Sequence, residues 1–109
     1  DDIVEASLFA IKELMPRKKK LEITIELCPT GDSAEGWHWM EEKYIHRIEL
    51  NPFLSKEDFV TCLFHELVHV RQAERGIPDQ DELPYNERPN EIEAYALQEE
   101  LFEKWKKLK

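Results

Sequence analysis

The sequence predicts an α+β fold in which helices cover one face of a small three-stranded sheet. Apolar residues recur at helical spacing in three segments, and three short segments between the first two show the composition and alternation of strands. With 109 residues and 41% hydrophobic content, the chain can bury one core but has little room for a second. We therefore expect a single domain over 1–109.

The N-terminal half is predicted to contain one helix and all three strands. The apolar residues of the segment 3–15 have helical spacing, and Pro16 ends that helix. Apolar and polar residues then alternate as in a half-buried strand. Strand and turn signals follow one another as strand 21–27, turn 29–33, strand 37–40, turn 41–43 and strand 44–50.

Two helices are predicted in the C-terminal half. Ser55 and Asp58 have the spacing of an N-cap and its capping box, and Gly76 provides the C-terminal stop. A polar, proline-bearing loop covers 77–88. The last helix starts at 89 or 90 and continues to 108 with a broad apolar stripe.

A His-Glu-Leu-Val-His sequence lies in the middle of the capped helix. His65 and His69 are four residues apart, about one helical turn, so both imidazoles project from one face and can bind one metal ion. Glu66 follows the first histidine, where its carboxylate can reach a water on that ion. Two surface histidines would be the alternative interpretation, but apolar residues on both sides indicate a buried helix. We expect one zinc ion per chain, with Glu66 as general base.

A catalytic zinc ion usually has a third protein ligand, and several residues are candidates for it. On a helical wheel of about 100° per residue, Glu91 falls within the apolar arc of the last helix and Glu93 falls outside it. Glu93 also has the spacing of a capping box with Asn90 as N-cap. A core-facing Glu91 needs a partner, so it is the preferred third ligand. The other candidates are His38, His46, Asp79, Asp81 and Glu93.

At 65–69 and 90–94 the chain resembles the gluzincins, zinc peptidases with a histidine-pair helix and a zinc glutamate on a later helix. Ala94 matches the small residue that follows their glutamate, whereas Tyr95 stands where many members have an Asp. The length and element order are most similar to the minigluzincins. The resemblance implies a zinc metallopeptidase that hydrolyses peptide or protein substrates. It also implies an edge strand that binds the substrate backbone, formed here by Trp37, His38 and Trp39.

Further residues are candidates for contacts with the reacting peptide. The hydroxyls of Tyr85 and Tyr95 are candidate donors to the oxyanion, and Arg88 and His46 are open alternatives. Trp37 and Trp39 are two residues apart and therefore point to the same face of the strand. This placement is more typical of core residues than of a substrate pocket.

Two other functional hypotheses remain open. The first is a non-catalytic zinc-binding regulatory or interaction domain. Glu66 argues against it, because a purely structural site needs no base and is usually closed by four protein ligands. The second is a latent protease whose cleft is blocked by its own termini, since so short a chain offers little wall around a cleft.

Charge and composition limit the partners. A net charge of −9 repels phosphate backbones and anionic membranes, so we expect no direct nucleic-acid or membrane partner. Cys28 and Cys62 are too few for a disulfide framework. No signal peptide is visible, and a first residue other than Met is consistent with trimming. We expect a cytoplasmic monomer.

Overall fold

Three helices and a three-stranded sheet form an α+β fold in the computed structural model, as the sequence predicts. Residues 2–17, 20–28 and 36–108 are described, so the predicted turn at 29–33 lies outside the described residues. None of the described helices is both long and apolar enough to cross a membrane. The elements are α1 (Asp2–Leu14), β1 (Glu22–Leu27), β2 (Gly36–Glu42), β3 (Ile45–Leu50), α2 (Lys56–Glu74), a 3-10 turn (Tyr85–Glu87) and α3 (Pro89–Leu108).

The sheet has the order β1-β3-β2, with β3 in the centre. β1 is parallel to β3, and β2 is antiparallel to it. His46, Ile48 and Leu50 alternate along β3 and are completely buried on the face that the helices cover. β2 is therefore an edge strand: one of its edges pairs with β3, and the other has no strand partner among the described residues.

Helix α2 is the central element of the fold. It packs against α1, α3, β2 and β3. The largest fully buried side chains come mainly from α2 and β3 and include Phe64, Leu63, Leu67, Ile48 and Leu50. Because α2 is covered on several sides, its buried polar residues His65, Glu66 and Gln72 face the surrounding elements rather than solvent.

The start of β2 lies directly against α2. A Cβ atom on Gly36 would lie 2.9 Å from both Cys62 Sγ and Leu50 Cδ2, closer than packed atoms approach each other. Glycine is required here because the backbone of the edge strand passes over the buried Cys62 thiol. This close approach brings the next residues of β2 to the histidine face of α2.

The predicted ends of α2 are present. Ser55 Oγ accepts a hydrogen bond from the Asp58 amide at 3.2 Å. Gly76 has a φ of 73°, and the Ile77 amide donates to Gln72 O at 3.1 Å, which are the features of a Schellman C-cap.

The predicted start of α3 at 89 or 90 is confirmed, but Asn90 is not its N-cap. The helix begins at Pro89, and the Arg88 carbonyl accepts the first helical hydrogen bond, from the Glu91 amide at 3.0 Å. Proline is favoured at the first helical position because it has no amide hydrogen to leave unpaired. Asn90 therefore lies inside the first turn, and the predicted capping box with Glu93 does not form.

The turn between β2 and β3 also differs from its prediction. It lies at Lys43 and Tyr44, where Tyr44 has a φ of 70°, rather than at 41–43. The Tyr44 amide donates to Glu74 Oε2 at 2.8 Å. Because this acceptor is 30 residues away on α2, local sequence contains no sign of it.

Candidate metal centre

Three of the predicted ligands converge between α2 and α3. His65 Nε2 lies 2.9 Å from Glu91 Oε1, and His69 Nε2 lies 3.2 Å from the same oxygen. The two Nε2 atoms are 3.2 Å apart. One helical turn of α2 therefore supplies two nitrogens, and the first turn of α3 supplies an oxygen to the same point.

Two glutamines set the orientation and tautomer of the imidazoles. His65 Nδ1 donates to Gln98 Oε1 at 2.7 Å, and His69 Nδ1 donates to Gln72 Oε1 at 2.7 Å. Since a neutral imidazole has one N–H, both Nε2 atoms then present lone pairs toward Glu91. Such hydrogen bonds on the far nitrogen are characteristic of metal-binding histidines.

These three atoms fit a zinc ion. Bonds of about 2.0–2.1 Å with tetrahedral angles place neighbouring ligand atoms about 3.3 Å apart, and the three separations here are 2.9, 3.2 and 3.2 Å. Two lone pairs and a carboxylate oxygen at this distance repel one another unless a cation or a proton lies between them. Two imidazoles and one carboxylate form a ligand set that zinc accepts.

The two glutamines were not anticipated from the sequence. Gln72 Nε2 donates to Glu93 Oε1 and to the Asn90 carbonyl, both at 2.9 Å, so the side chain of Gln72 is held from α3. Gln98 lies seven residues after Glu91, or two turns along one helix face. This spacing is the sequence feature that places Gln98 on the same face of the helix as the predicted ligand Glu91.

Glu66 lies beside the centre without joining it. Its side chain is 6% exposed and lines a cavity that opens beside the two histidines. Burial raises the pKa of Glu66 to about 7, against the opposing charges of His69 and His65. The carboxylate makes no hydrogen bond within the described part of the chain. It is thus poised for proton transfer near neutral pH.

Two of the candidate oxyanion donors reach the centre. The Tyr85 hydroxyl donates to Glu91 Oε1 at 3.0 Å and lies 3.2 Å from the Tyr95 hydroxyl. The Tyr95 ring packs edge-on against His65, with ring centroids 4.6 Å apart. Arg88 instead donates to the Leu83 carbonyl at 3.0 Å. Both tyrosines therefore border the centre, and Arg88 holds the preceding loop.

The remaining ligand candidates lie outside the three-atom cluster. Glu93 accepts from Gln72, and its other oxygen lies 3.6 Å from Arg71 Nη2. Asp79 and Asp81 line the cavity but do not join the cluster. The structure thus brings together His65, His69 and Glu91 among the candidates.

His38 belongs to a second hydrogen-bonded group beside the centre. His38 Nε2 lies 3.0 Å from His46 Nδ1, and His46 Nε2 donates to Glu74 Oε2 at 2.6 Å. The side chains of His46 and Glu74 are completely buried. Burial, with His46 and His69 nearby, lowers the pKa of His38 to about 3, so His38 is a neutral side chain in the cavity wall.

The two tryptophans of β2 do not form core. Trp37 is paired with Glu49 and Trp39 with Arg47, on the sheet face away from the helices. They are 56% and 39% exposed, so the interpretation as core residues was wrong. Trp37 lines the rim of the cavity, whereas Trp39 stacks near the Arg47 guanidinium at 5.7 Å. Of the three predicted substrate contacts, Trp37 and His38 border the cavity.

The cavity beside the centre has a volume of about 1260 Å³ and is open to solvent. Its wall contains residues of β2, α2, α3 and the loop between the two helices. Comparison with protein-family models, curated proteins and solved structures gives no match. The chemistry of the site is therefore argued from its own residues.

Proposed function

We propose that this chain is a zinc-dependent metallopeptidase of the gluzincin type. His65, His69 and Glu91 are the proposed zinc ligands, and Glu66 is the proposed general base. The observation that carries the proposal is the convergence of two oriented imidazole nitrogens and one carboxylate oxygen within 3.2 Å, next to an open cavity.

The ligand set supports a catalytic rather than a structural site. A structural zinc site is usually closed by four protein ligands, whereas three ligands leave one position open. A bound zinc ion would supply Lewis acidity, which lowers the pKa of a coordinated water to about 7 and polarises a carbonyl.

The protein's own residues would carry the proton transfers. Glu66 accepts a proton from the attacking water and delivers it to the leaving amine, and its position in the cavity wall next to His65 suits both steps. The hydroxyls of Tyr85 and Tyr95 lie beside Glu91 and can donate to the developing oxyanion. A peptide would bind in extended form along the free edge of β2, where Trp37 and His38 border the cavity.

The first test is metal binding. Wild-type protein stripped with a chelator and dialysed against zinc should retain one zinc ion per chain. Glu91→Ala should lose most of its affinity because a ligand is removed, whereas Glu93→Ala should retain zinc because Glu93 only contacts Gln72 and Arg71. Elemental analysis that finds equal zinc in the two variants, or none in the wild type, would contradict the ligand assignment.

The glutamine contacts provide a second expected result. Gln98→Leu removes the acceptor of His65 Nδ1 without removing a ligand atom. Zinc affinity should fall by about 10- to 100-fold, the usual effect of losing such a support. Competition with a chromogenic chelator measures it. Glu100→Gln, at an exposed α3 position outside the cavity wall, is the control and should bind zinc as wild type does.

A further inference from the structure

Acidic residues outnumber basic residues in the wall of the cavity. The wall has a single lysine or arginine within the described residues, Arg88, and this guanidinium lies 3.8 Å from Asp81 and against the Tyr85 ring. Its charge is therefore already balanced. The acidic residues of the wall are Glu49, Glu57, Asp58, Glu66, Asp79, Asp81, Glu91 and Glu99. A low-dielectric cleft lined by one sign of charge attracts ligands of the opposite sign.

Three of these carboxylates lie at one end of the cavity. Glu57 and Asp58 precede His65 by eight and seven residues on α2, or about 10–12 Å at 1.5 Å per residue. Glu99 follows Glu91 by eight residues on α3. The two helices are antiparallel, because Gln98 contacts His65 and Asn90 contacts Gln72. Glu99 is one residue beyond the Gln98 that contacts His65, so along the helices it lies between the three-atom cluster and the pair Glu57 and Asp58. We call Glu57, Asp58 and Glu99 the acidic end of the cavity.

No lysine or arginine of the described ranges forms an ion pair with the acidic end. Glu57, Asp58 and Glu99 are exposed, and none forms an ion pair within the described ranges. The exposed face of Trp37 borders the same cavity and can receive a lysine or arginine by a cation–π contact. Independently, the nearly buried Glu66 carboxylate lines this cavity without a hydrogen bond, which indicates a polar ligand.

We propose that the cavity selects cationic extended peptides, with a lysine or arginine at the acidic end. A strand advances about 3.3 Å per residue, so this side chain lies about three to four residues from the peptide bond over His65 and Glu91. The inference rests on the proposed peptidase function for the position of the bond. The binding preference itself needs only the cavity and its charges.

Matched peptides test the preference. In an otherwise neutral ten-residue sequence, one position at a time carries Lys or Glu. Zinc-loaded wild type should cleave the best lysine peptide about three- to tenfold more efficiently than its Glu counterpart, as expected for one or two exposed ion pairs. The preference should be largest three or four residues from the cleaved bond and should shrink in 0.5 M salt, where exposed charges are screened (to within about 4–5 Å).

Paired variants separate the cavity from the charge of the whole protein. Glu57→Lys/Glu99→Lys should abolish or reverse the preference. Glu42→Lys/Glu100→Lys changes the net charge equally at exposed positions outside the cavity wall and should preserve it. Circular dichroism verifies that both variants are folded. Equal cleavage of the Lys and Glu peptides by wild type, or equal effects of both double variants, would overturn the inference but not the peptidase proposal.

Binding distinguishes the two proposals. Fluorescence anisotropy of labelled Lys and Glu peptides on the Glu66→Gln variant requires no turnover. In one outcome, wild type cleaves no peptide, but the Lys peptide binds more tightly than the Glu peptide and Glu57→Lys/Glu99→Lys removes that difference. The charge preference then stands, and the peptidase proposal fails. If peptides are cleaved but the Lys and Glu peptides bind equally, the charge preference fails and the peptidase proposal stands.

Discussion

Replacement of Glu66 by Gln is expected to abolish peptide hydrolysis while zinc remains bound. Gln has nearly the same size as Glu but cannot accept a proton, so kcat should fall by at least about 10²-fold. Zinc should stay because the three converging atoms belong to His65, His69 and Glu91. No other proposed change separates catalysis from metal binding so sharply.

Casein and a mixed peptide library provide the assay for the Glu66→Gln variant. Glu100→Gln is the matched control, because it is the same exchange at an exposed α3 position outside the cavity wall. Undiminished cleavage by Glu66→Gln would identify another base.

The described ends of the chain, 2–17 and 103–108, do not line the cavity, and versions trimmed at either end test for latency. Zinc binding without any cleavage would favour the non-catalytic alternative.

The second large effect concerns the stability of the buried His46–Glu74 pair. His46→Leu should lower the free energy of unfolding by about 3–5 kcal/mol, because the completely buried Glu74 carboxylate then lacks its imidazole partner. The Tyr44 amide would still donate to this carboxylate. Urea unfolding followed by circular dichroism measures the change.

Two variants establish the cause of that loss. His46→Leu/Glu74→Gln should recover much of the stability, because Gln carries no charge and its carbonyl can still accept from the Tyr44 amide. Glu13→Gln removes an exposed ion pair with Lys104 at 3.1 Å and should cost less than about 1 kcal/mol. A double variant as unstable as the sum of its single variants would show that lost packing, and not an unpaired charge, destabilises His46→Leu.

Local chemistry was sufficient to predict most of the fold. Ser55 and Gly76 cap α2 as predicted, because caps depend on backbone atoms a few residues away. α3 starts at Pro89, within the predicted 89 or 90, but Asn90 lies inside its first turn and is not its N-cap. β3 starts one residue later than predicted, because Tyr44 is held in the turn by Glu74 from a distant part of the chain.

The residues of the candidate site also include some that local sequence predicts and some that only distant contacts determine. The pair His65 and His69 follows from helical spacing alone, and the helical wheel placed Glu91 on the core side of α3, where it meets both histidines. The wheel places Gln98 in the same arc as Glu91, but it does not show which residue of α2 Gln98 meets. Glu74 gave no signal at all, because a charged residue near a helix end is ordinarily solvated.

By itself, the sequence determined the three helices, the strand segments, and the histidines and glutamate that face a common point. Each of these follows from periodicity or capping within a few residues. Only the tertiary structure decided that β1 runs parallel to β3, that the tryptophans of β2 face outward, and which side chains orient the imidazoles. Those features depend on which elements meet. The β1–β3 pairs and the His65–Gln98 contact join residues 23 and 33 positions apart, and contacts over such distances leave no periodic trace in the chain.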